Sequence, residues 1–198
     1  MNPIVCVSGT SRPGNYTSMA LAVVVEELER REAPVALFDA RELDLPFPGH
    51  PSTDDADRLR EAIGEATAVV LATPEYHGGF CAMTKLIVEN LGFPSVLAGK
   101  PVALLGVAAG RIGAIKSLEQ LRGVCSHVGG IVLPQSVSIA RVRKAFDEEG
   151  RCTDAGVEET LRGHAESLLE FVESYVCPKH VLEAMVREGE DPPWASTV

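Results

Sequence analysis

No apolar run in this chain approaches the length of a membrane span, and its first residues lack the pattern of a signal peptide. A membrane is therefore not expected among its partners. Basic clusters are missing as well. Lys and Arg total 18 against 28 Asp and Glu, a net charge of −10, which argues against nucleic acid or anionic lipid as a partner. The five cysteines, Cys6, Cys81, Cys125, Cys152 and Cys177, form an odd and scattered set with no C-x-x-C pair. Such a set supplies neither a disulfide framework nor a zinc site, and it suits a reducing cytoplasm. No metal site is expected. Nor does any repeat, low-complexity tract or linker divide the 198 residues, about the size of one ordinary domain.

What the chain does contain is alternation. Five short apolar runs, Ile4–Val7, Val35–Phe38, Ala68–Ala72, Val102–Val107 and Ile131–Leu133, read as strands buried on both faces. Helical stripes lie between them. The first places Leu21, Val24, Val25 and Leu28 at offsets of three, four and seven, and the second repeats this with Leu59, Ala62, Ile63 and Ala66. Met83, Leu86 and Ile87 mark a third helix, and Leu118, Leu121, Cys125 and Val128 a fourth. After Asp154, an N-cap residue, the last stripe runs through Leu161, Ala165, Leu168, Leu169 and Val172. The pattern predicts a doubly wound α/β fold. Ligands of such sheets sit beyond the carboxyl ends of the strands, where the order reverses. The proline-rich Leu43–Pro51 segment reads as a surface connector.

Three polar or glycine-rich loops leave those ends. The first, Gly9–Tyr16, joins an apolar strand to a helix start, where unpaired N–H groups and the helix dipole favour an anion. Thr10, Ser11, Asn15, Tyr16 and Thr17 add hydrogen-bonding side chains, and Arg12 a forked charge. A polar turn with an N-cap is the plainer alternative. Gly9 and Gly14 have P-loop spacing, but Asn15-Tyr16 stands where that motif needs Lys and a hydroxyl residue. The dinucleotide pattern G-x-G-x-x-G is absent too. A small monophosphate fits better, and this suggests FMN.

Pro74-Glu75-Tyr76-His77-Gly78-Gly79-Phe80 follows the third strand directly. Pro74 restrains the exit, and the two glycines let backbone approach a flat ligand closely. Tyr76 and Phe80 are placed to flank such a ring and His77 to hydrogen-bond near it; a tight turn with Tyr76 in the core is the alternative. Glu75 reads as a cap or salt-bridge partner rather than an acid catalyst. The third loop, Gly110-Arg111-Ile112-Gly113-Ala114, is a weak signal alone but stands at the same sheet edge. Arg111 is either a contact for a pyridine-nucleotide phosphate or a solvated side chain.

Together these residues, with Lys85 and Gly99-Lys100-Pro101-Val102, resemble the NADPH-dependent FMN reductase family, a flavodoxin-like group that includes chromate, quinone and azo reductases. The resemblance covers about residues 3–175. It implies a flavodoxin-like five-stranded parallel sheet in the order 2-1-3-4-5 with helices on both faces, over residues 1–176. It also implies FMN as cofactor, with Thr10, Ser11, Arg12, Asn15, Tyr16 and Thr17 holding its phosphate. Pro74, Glu75, Tyr76, His77 and Gly78 would line its ring, with Gly110 as a further wall. The implied activity is that of an NAD(P)H oxidoreductase, passing hydride from NADPH or NADH to FMN and then to a small-molecule electron acceptor by a ping-pong mechanism. The acceptor would be a quinone, free flavin, azo compound or metal oxyanion, and no side chain need be catalytic. A homodimer or homotetramer is implied as well. The family commonly has Ser where Asn15 stands and Asn where Thr17 and His77 stand; each replacement still hydrogen-bonds.

Two rival readings remain at this level. One is a flavodoxin-like electron carrier without its own NAD(P)H turnover, whose acidic charge suits basic redox partners. The other is a flavin-free nicotinamide-binding domain in which Asp39, at the end of the second strand, bonds a ribose; the missing glycine fingerprint weighs against it. Residues 177–198 lie beyond the resemblance. Cys177 and His180 have a spacing that two metal ligands can share, though two are poor evidence. The only Trp, Trp194, is costly to expose, so the extension is expected to pack on the body or on a neighbouring subunit.

Overall fold

The chain is described by a computed structural model over residues 2–179 and 182–183. The expectations for His180, Trp194 and the packing of the C-terminal extension lie outside these residues. Five parallel strand positions form the central sheet. β1 (Ile4–Ser8) lies between β2 (Val35–Asp39) and β3 (Ala68–Tyr76), and β5 (Pro101–Val107) lies beyond β3. The last position is shared by β6 (Ile131–Val132) and β7 (Val137–Ile139), both parallel to β5. The expected 2-1-3-4-5 order of the five positions is therefore present. A short β4 (Gly79–Phe80) pairs antiparallel with the end of β3.

Residue alternation along the strands separates two cores. Ile4 and Cys6 of β1 point into a layer shared with α1 (Tyr16–Arg30) and α5 (Ala155–Phe171), where Leu21, Val24, Leu28, Leu161, Ala165 and Leu168 are buried. Val5 and Val7 face the opposite layer of α2 (Asp54–Glu65), α3 (Ala82–Glu89) and α4 (Ile115–His127). Helices thus cover both faces. The apolar stripes read from the sequence are the buried faces, since a 3.6-residue period aligns them on one side. Asp154 caps α5 through its carboxylate, which accepts the Gly156 and Val157 N–H groups at 3.0 and 3.2 Å.

Three details differ from expectation. β2 is an edge strand and only half-buried, with Leu37 57% exposed, because no strand covers its outer side. β3 does not stop at Pro74 but continues through Thr73, Pro74, Glu75 and Tyr76. Ala72 turns its carbonyl toward β1, where it accepts Gly9 N–H at 2.8 Å. Pro74, two residues on, presents its missing N–H to the same side, beyond the end of β1, so the proline breaks no ladder bond. The fifth strand position extends past the Ile131–Leu133 run, because Pro134 interrupts it before Val137–Ile139 pairs with Leu105–Val107.

The α1–α5 contact carries two titratable features. Glu27 is fully buried on its own helix, and its carboxylate accepts from Arg30 at 2.8 and 2.5 Å and from Arg31 at 2.6 Å. Those charged hydrogen bonds lower its pKa to about 2. His164 on α5 is 3% exposed, and its Nε2 has no hydrogen-bond partner. Burial lowers its pKa from 6.5 to about 4. The folded state thus holds His164 neutral while the unfolded chain takes up its proton below pH 6.5. Stability from this source is present at pH 7.5 and is expected to fall by about 3 kcal/mol as the pH drops from about 6.5 to about 4. The stability that Glu27 contributes is full above its ordinary value of 4.5 and is lost only as the pH falls from there toward about 2, so the two windows largely separate. Urea midpoints between pH 7.5 and 5 are expected to decline in the wild type and to stay level in His164→Leu; parallel curves would reject this assignment.

Candidate active site

Gly9 is the first residue past β1, and it is held from two directions. Its N–H donates to Ala72 of β3, and its carbonyl accepts the Thr84 hydroxyl at 2.7 Å and the Cys81 thiol at 2.8 Å. Thr84 also lies 2.9 Å from the Thr73 hydroxyl on β3. The start of the first loop is therefore fixed to the strand before the second loop and to the helix after it. Nothing in the sequence pattern marked Thr73, Cys81 and Thr84 for this role. A side chain at position 9 has no room, because a Cβ there would stand 2.6 Å from the Ala72 carbonyl and 2.5 Å from Thr84 Oγ1.

Beyond Gly9 the loop folds on itself. The Arg12 N–H reaches Thr10 Oγ1 at 3.4 Å, and Asn15 Nδ2 donates to the Arg12 carbonyl at 2.8 Å. Asn15 Oδ1 accepts Ser18 N–H at 2.7 Å, so this residue is the N-cap of α1. The plainer reading of the loop, a capped turn, is thus present in the same atoms as the anion reading. The two are compatible: capping satisfies Ser18, while the N–H groups of Tyr16 and Thr17 have no intrahelical acceptor and face the positive end of the helix. Gly14 supplies the bend with a φ of +56°.

The second loop is a β-hairpin. Glu75 pairs with Phe80 and Tyr76 with Gly79, and the two residues between them, His77 and Gly78, have φ of +51° and +76°. Two successive left-handed residues make a tight turn of the hand that matches strand twist. Gly78 is therefore required by the turn itself. Tyr76 is 41% exposed rather than in the core, and Phe80 packs partly buried against the α2–α4 layer, so these two do not flank one opening. Glu75 is a cap, as read from the sequence, but of α4 rather than of the next helix: its Oε2 accepts Ser117 N–H at 3.1 Å.

A cleft of about 650 Å³ opens at the carboxyl edge of the sheet between these segments. Arg12, Asn15, Tyr16 and Thr17 form one wall, and Pro74, Glu75 and Tyr76 a second. Thr10 is buried beneath the loop, and Ser11, His77, Gly78 and Gly110 lie outside the lining. A further wall combines Val107, Ala108 and Ala109, which lead from the fourth strand run into the third loop, with Val142 and Arg143, and the sequence reading missed only these last two. Val107 ends β5, and Ala108 and Ala109 follow it. Val142 and Arg143 belong to a 3₁₀ turn after β7, brought over α1 by packing of Phe146 against Tyr16, ring centroids 6.3 Å apart. A faint signal existed: Val137-Ser138-Ile139 alternates as a strand does, and the residues after it reach the same sheet edge.

Asp39, the ribose candidate of the flavin-free reading, is committed elsewhere. Arg41 grips both its oxygens at 2.5 to 3.0 Å. Burial pushes its carboxyl up, and the bonds from the Arg41 guanidinium and backbone N–H outweigh that and leave it below its usual range. No helix among the described residues is long and apolar enough to cross a membrane, and none of them form a group of three or more His, Cys, Asp or Glu that could hold a metal ion.

Comparison with known proteins adds three findings. The chain is 30% identical over 170 residues to the NAD(P)H-dependent FMN reductase of Pseudomonas aeruginosa, covering 82% of this chain and 90% of that one. It is 30% identical over 138 residues to the NADPH azoreductase of a Bacillus species, covering 68% and 74%. Among solved structures, the NAD(P)H:(acceptor) oxidoreductase flavoenzyme of Paracoccus denitrificans superposes with a TM-score of 0.71 at 20% identity, covering 88% of this chain and 99% of that one. This last likeness establishes the fold. The family model for NADPH-dependent FMN reductase matches residues 3–144, which hold all three cleft walls, and the chain belongs to that family.

Proposed function

We propose that the cleft binds FMN and that the protein is an FMN-dependent NAD(P)H oxidoreductase in which two substrates visit one site in turn. The observation that carries this reading is the first wall. A capped helix start with free first-turn N–H groups and one guanidinium at its mouth suits one phosphate and no more. The donor set fits FMN: Arg12 and the Tyr16 and Thr17 amides would hold the phosphate. Pro74–Tyr76 and Val107–Ala109 line the sides against which a flat ring would lie. When bound, FMN supplies hydride acceptance and donation. The chain's own residues then need only position, and none has to move a proton. Asn15 and Gly9 keep the loop in one shape, and the Cys81–Thr84 contacts tie that shape to the second wall.

The rim of the same edge is partly apolar. Tyr76, Ile112 and Ile115 are exposed around it, although large apolar side chains are normally turned inward. This favours a flat aromatic acceptor, a quinone or an azo compound, over a metal oxyanion. A cleft shared by both substrates favours alternation of donor and acceptor. Initial rates at several fixed acceptor concentrations should therefore give parallel reciprocal plots.

The deciding experiment is a visible spectrum of the purified protein before and after anaerobic NADPH. A flavin band that bleaches within a turnover supports the reading. A colourless protein that fails to take up FMN overturns it, and a flavin band untouched by NADPH and NADH would favour the electron-carrier alternative.

A further inference from the structure

Charge is not spread evenly over this acidic chain. Among the described residues, nine Lys and Arg side chains pair with carboxylates. Lys100 and Arg122 instead bond backbone carbonyls. Six cations remain without either kind of partner: Arg12, Arg111, Lys116, Arg141, Arg143 and Lys144. All six belong to segments that follow the carboxyl ends of β1, β5 and β7. Several nearby carboxylates are engaged elsewhere. Glu75 is held by α4, and Asp147 and Glu149 pair with Arg151.

Two of the six are brought together by backbone. Arg141 N–H donates to the Gly110 carbonyl at 2.9 Å, which sets Arg141 beside the residue preceding Arg111. The two loops are stapled once more where Ala114 N–H donates to Ser138 Oγ at 2.8 Å. Gly113 is obligatory at that staple, since its φ is +84° and a Cβ would collide with the Ser138 hydroxyl. Arg141 itself holds a φ of +50°, a left-handed conformation that an arginine rarely adopts and that the staple enforces. The backbone thus holds two exposed arginines on adjoining loops, neither paired with a carboxylate, and like charges kept this near favour an anion between them.

Resting on the oxidoreductase reading, we propose that Arg111 and Arg141 form a phosphate subsite at the edge of the cleft that receives the 2′-phosphate of NADPH and selects it over NADH. FMN brings one phosphate, and Arg12 with the start of α1 accounts for it. The pyridine nucleotides differ only in the 2′-phosphate, a multiply charged group whose planar, forked recognition arginine performs better than lysine. The other free cations, Lys116, Arg143 and Lys144, raise the potential around the same edge and draw the more highly charged nucleotide to it.

The test uses the flavin-loaded protein as purified and two readouts. Calorimetric titration with NADP⁺ and NAD⁺ reports binding without turnover, and kcat/KM for NADPH and NADH is measured with an uncharged quinone. The wild type is expected to favour the phosphorylated nucleotide about tenfold in both. Arg111→Gln and Arg141→Asn, the latter chosen because Asn tolerates the left-handed conformation, should each erode the ratio several-fold, and together bring it close to one. Flavin content should not change. Arg58→Gln, which removes an equal charge from α2, should leave the ratio as it was. An unchanged ratio in the double variant overturns the proposal, as does an equal loss for both nucleotides. So does a loss confined to a sulfonated quinone, which would move the subsite to the acceptor. If the wild type lacked flavin, the oxidoreductase reading would fail, and the NADP⁺ to NAD⁺ binding ratio would still decide the subsite.

Discussion

Gly9→Ala is expected to cost about 3 kcal/mol of stability, near the top of the range for overpacking, and to strip the protein of flavin. The added methyl would meet the Ala72 carbonyl at 2.6 Å and Thr84 Oγ1 at 2.5 Å. Neither neighbour can yield cheaply. The carbonyl belongs to the β3 backbone and is already bonded to Gly9 N–H, and Thr84 is fully buried and fixed by the Gly9 carbonyl. Relief has to come from moving the loop away from β3, which also displaces the start of α1 and with it the proposed phosphate contacts. Urea unfolding and the ratio of flavin to protein absorbance measure the two effects. Adding Thr84→Ala to the variant is expected to restore only part of the stability, because the carbonyl clash remains. A urea midpoint equal to that of the wild type would show that this approach is not as close as described.

Arg12→Ala with Asn15→Ala is expected to weaken FMN binding about a hundredfold while leaving a folded protein. A charge-assisted contact to phosphate contributes about 2 kcal/mol and the N-cap about 1 kcal/mol, and about 1.4 kcal/mol corresponds to each tenfold change in affinity. The two residues act on one structure, since Asn15 holds the Arg12 carbonyl as well as Ser18 N–H. Asn15→Ser keeps the capping oxygen but cannot donate to Arg12 in the same way, so it should fall between the wild type and the double variant. Recovery of FMN fluorescence as the cofactor is released gives the dissociation constant directly. If that constant did not move, the phosphate would have to lie elsewhere, and the assignment of the first wall would go with it.

The legible part of this molecule was its periodic part. Strand β1 and the stripes of α1, α2 and α5 announce themselves because a buried face must be apolar at every second, or every third and fourth, position. The first loop was legible for a related reason: Thr10 to Thr17 concentrates hydrogen-bonding groups at a strand-to-helix turn, and few other arrangements use them. Less could be read where one residue serves two ends. Asn15 looked like a ligand or a cap and is built as the cap of α1, with the free amides beside it left for an anion. Pro74 looked like the end of a strand, but a proline costs a ladder bond only where a neighbouring strand is present to receive one.

By itself, the amino-acid sequence determined the doubly wound class, the two-layer core, the segment that opens the cleft and membership of a flavin-dependent family. The first three follow from local composition and spacing, which the chain carries wherever it folds; the family rests on resemblance to known members. Only the tertiary structure decided that Thr84 and Cys81 lock Gly9, that Glu75 caps α4, that Arg143 joins the cleft and that Arg141 lies against Gly110. Each of these pairs segments 31 to 75 residues apart, or depends on a strand split by Pro134. Contacts across such separations leave no period in the sequence; they are set by which strands lie side by side and by how closely backbone approaches backbone at glycine.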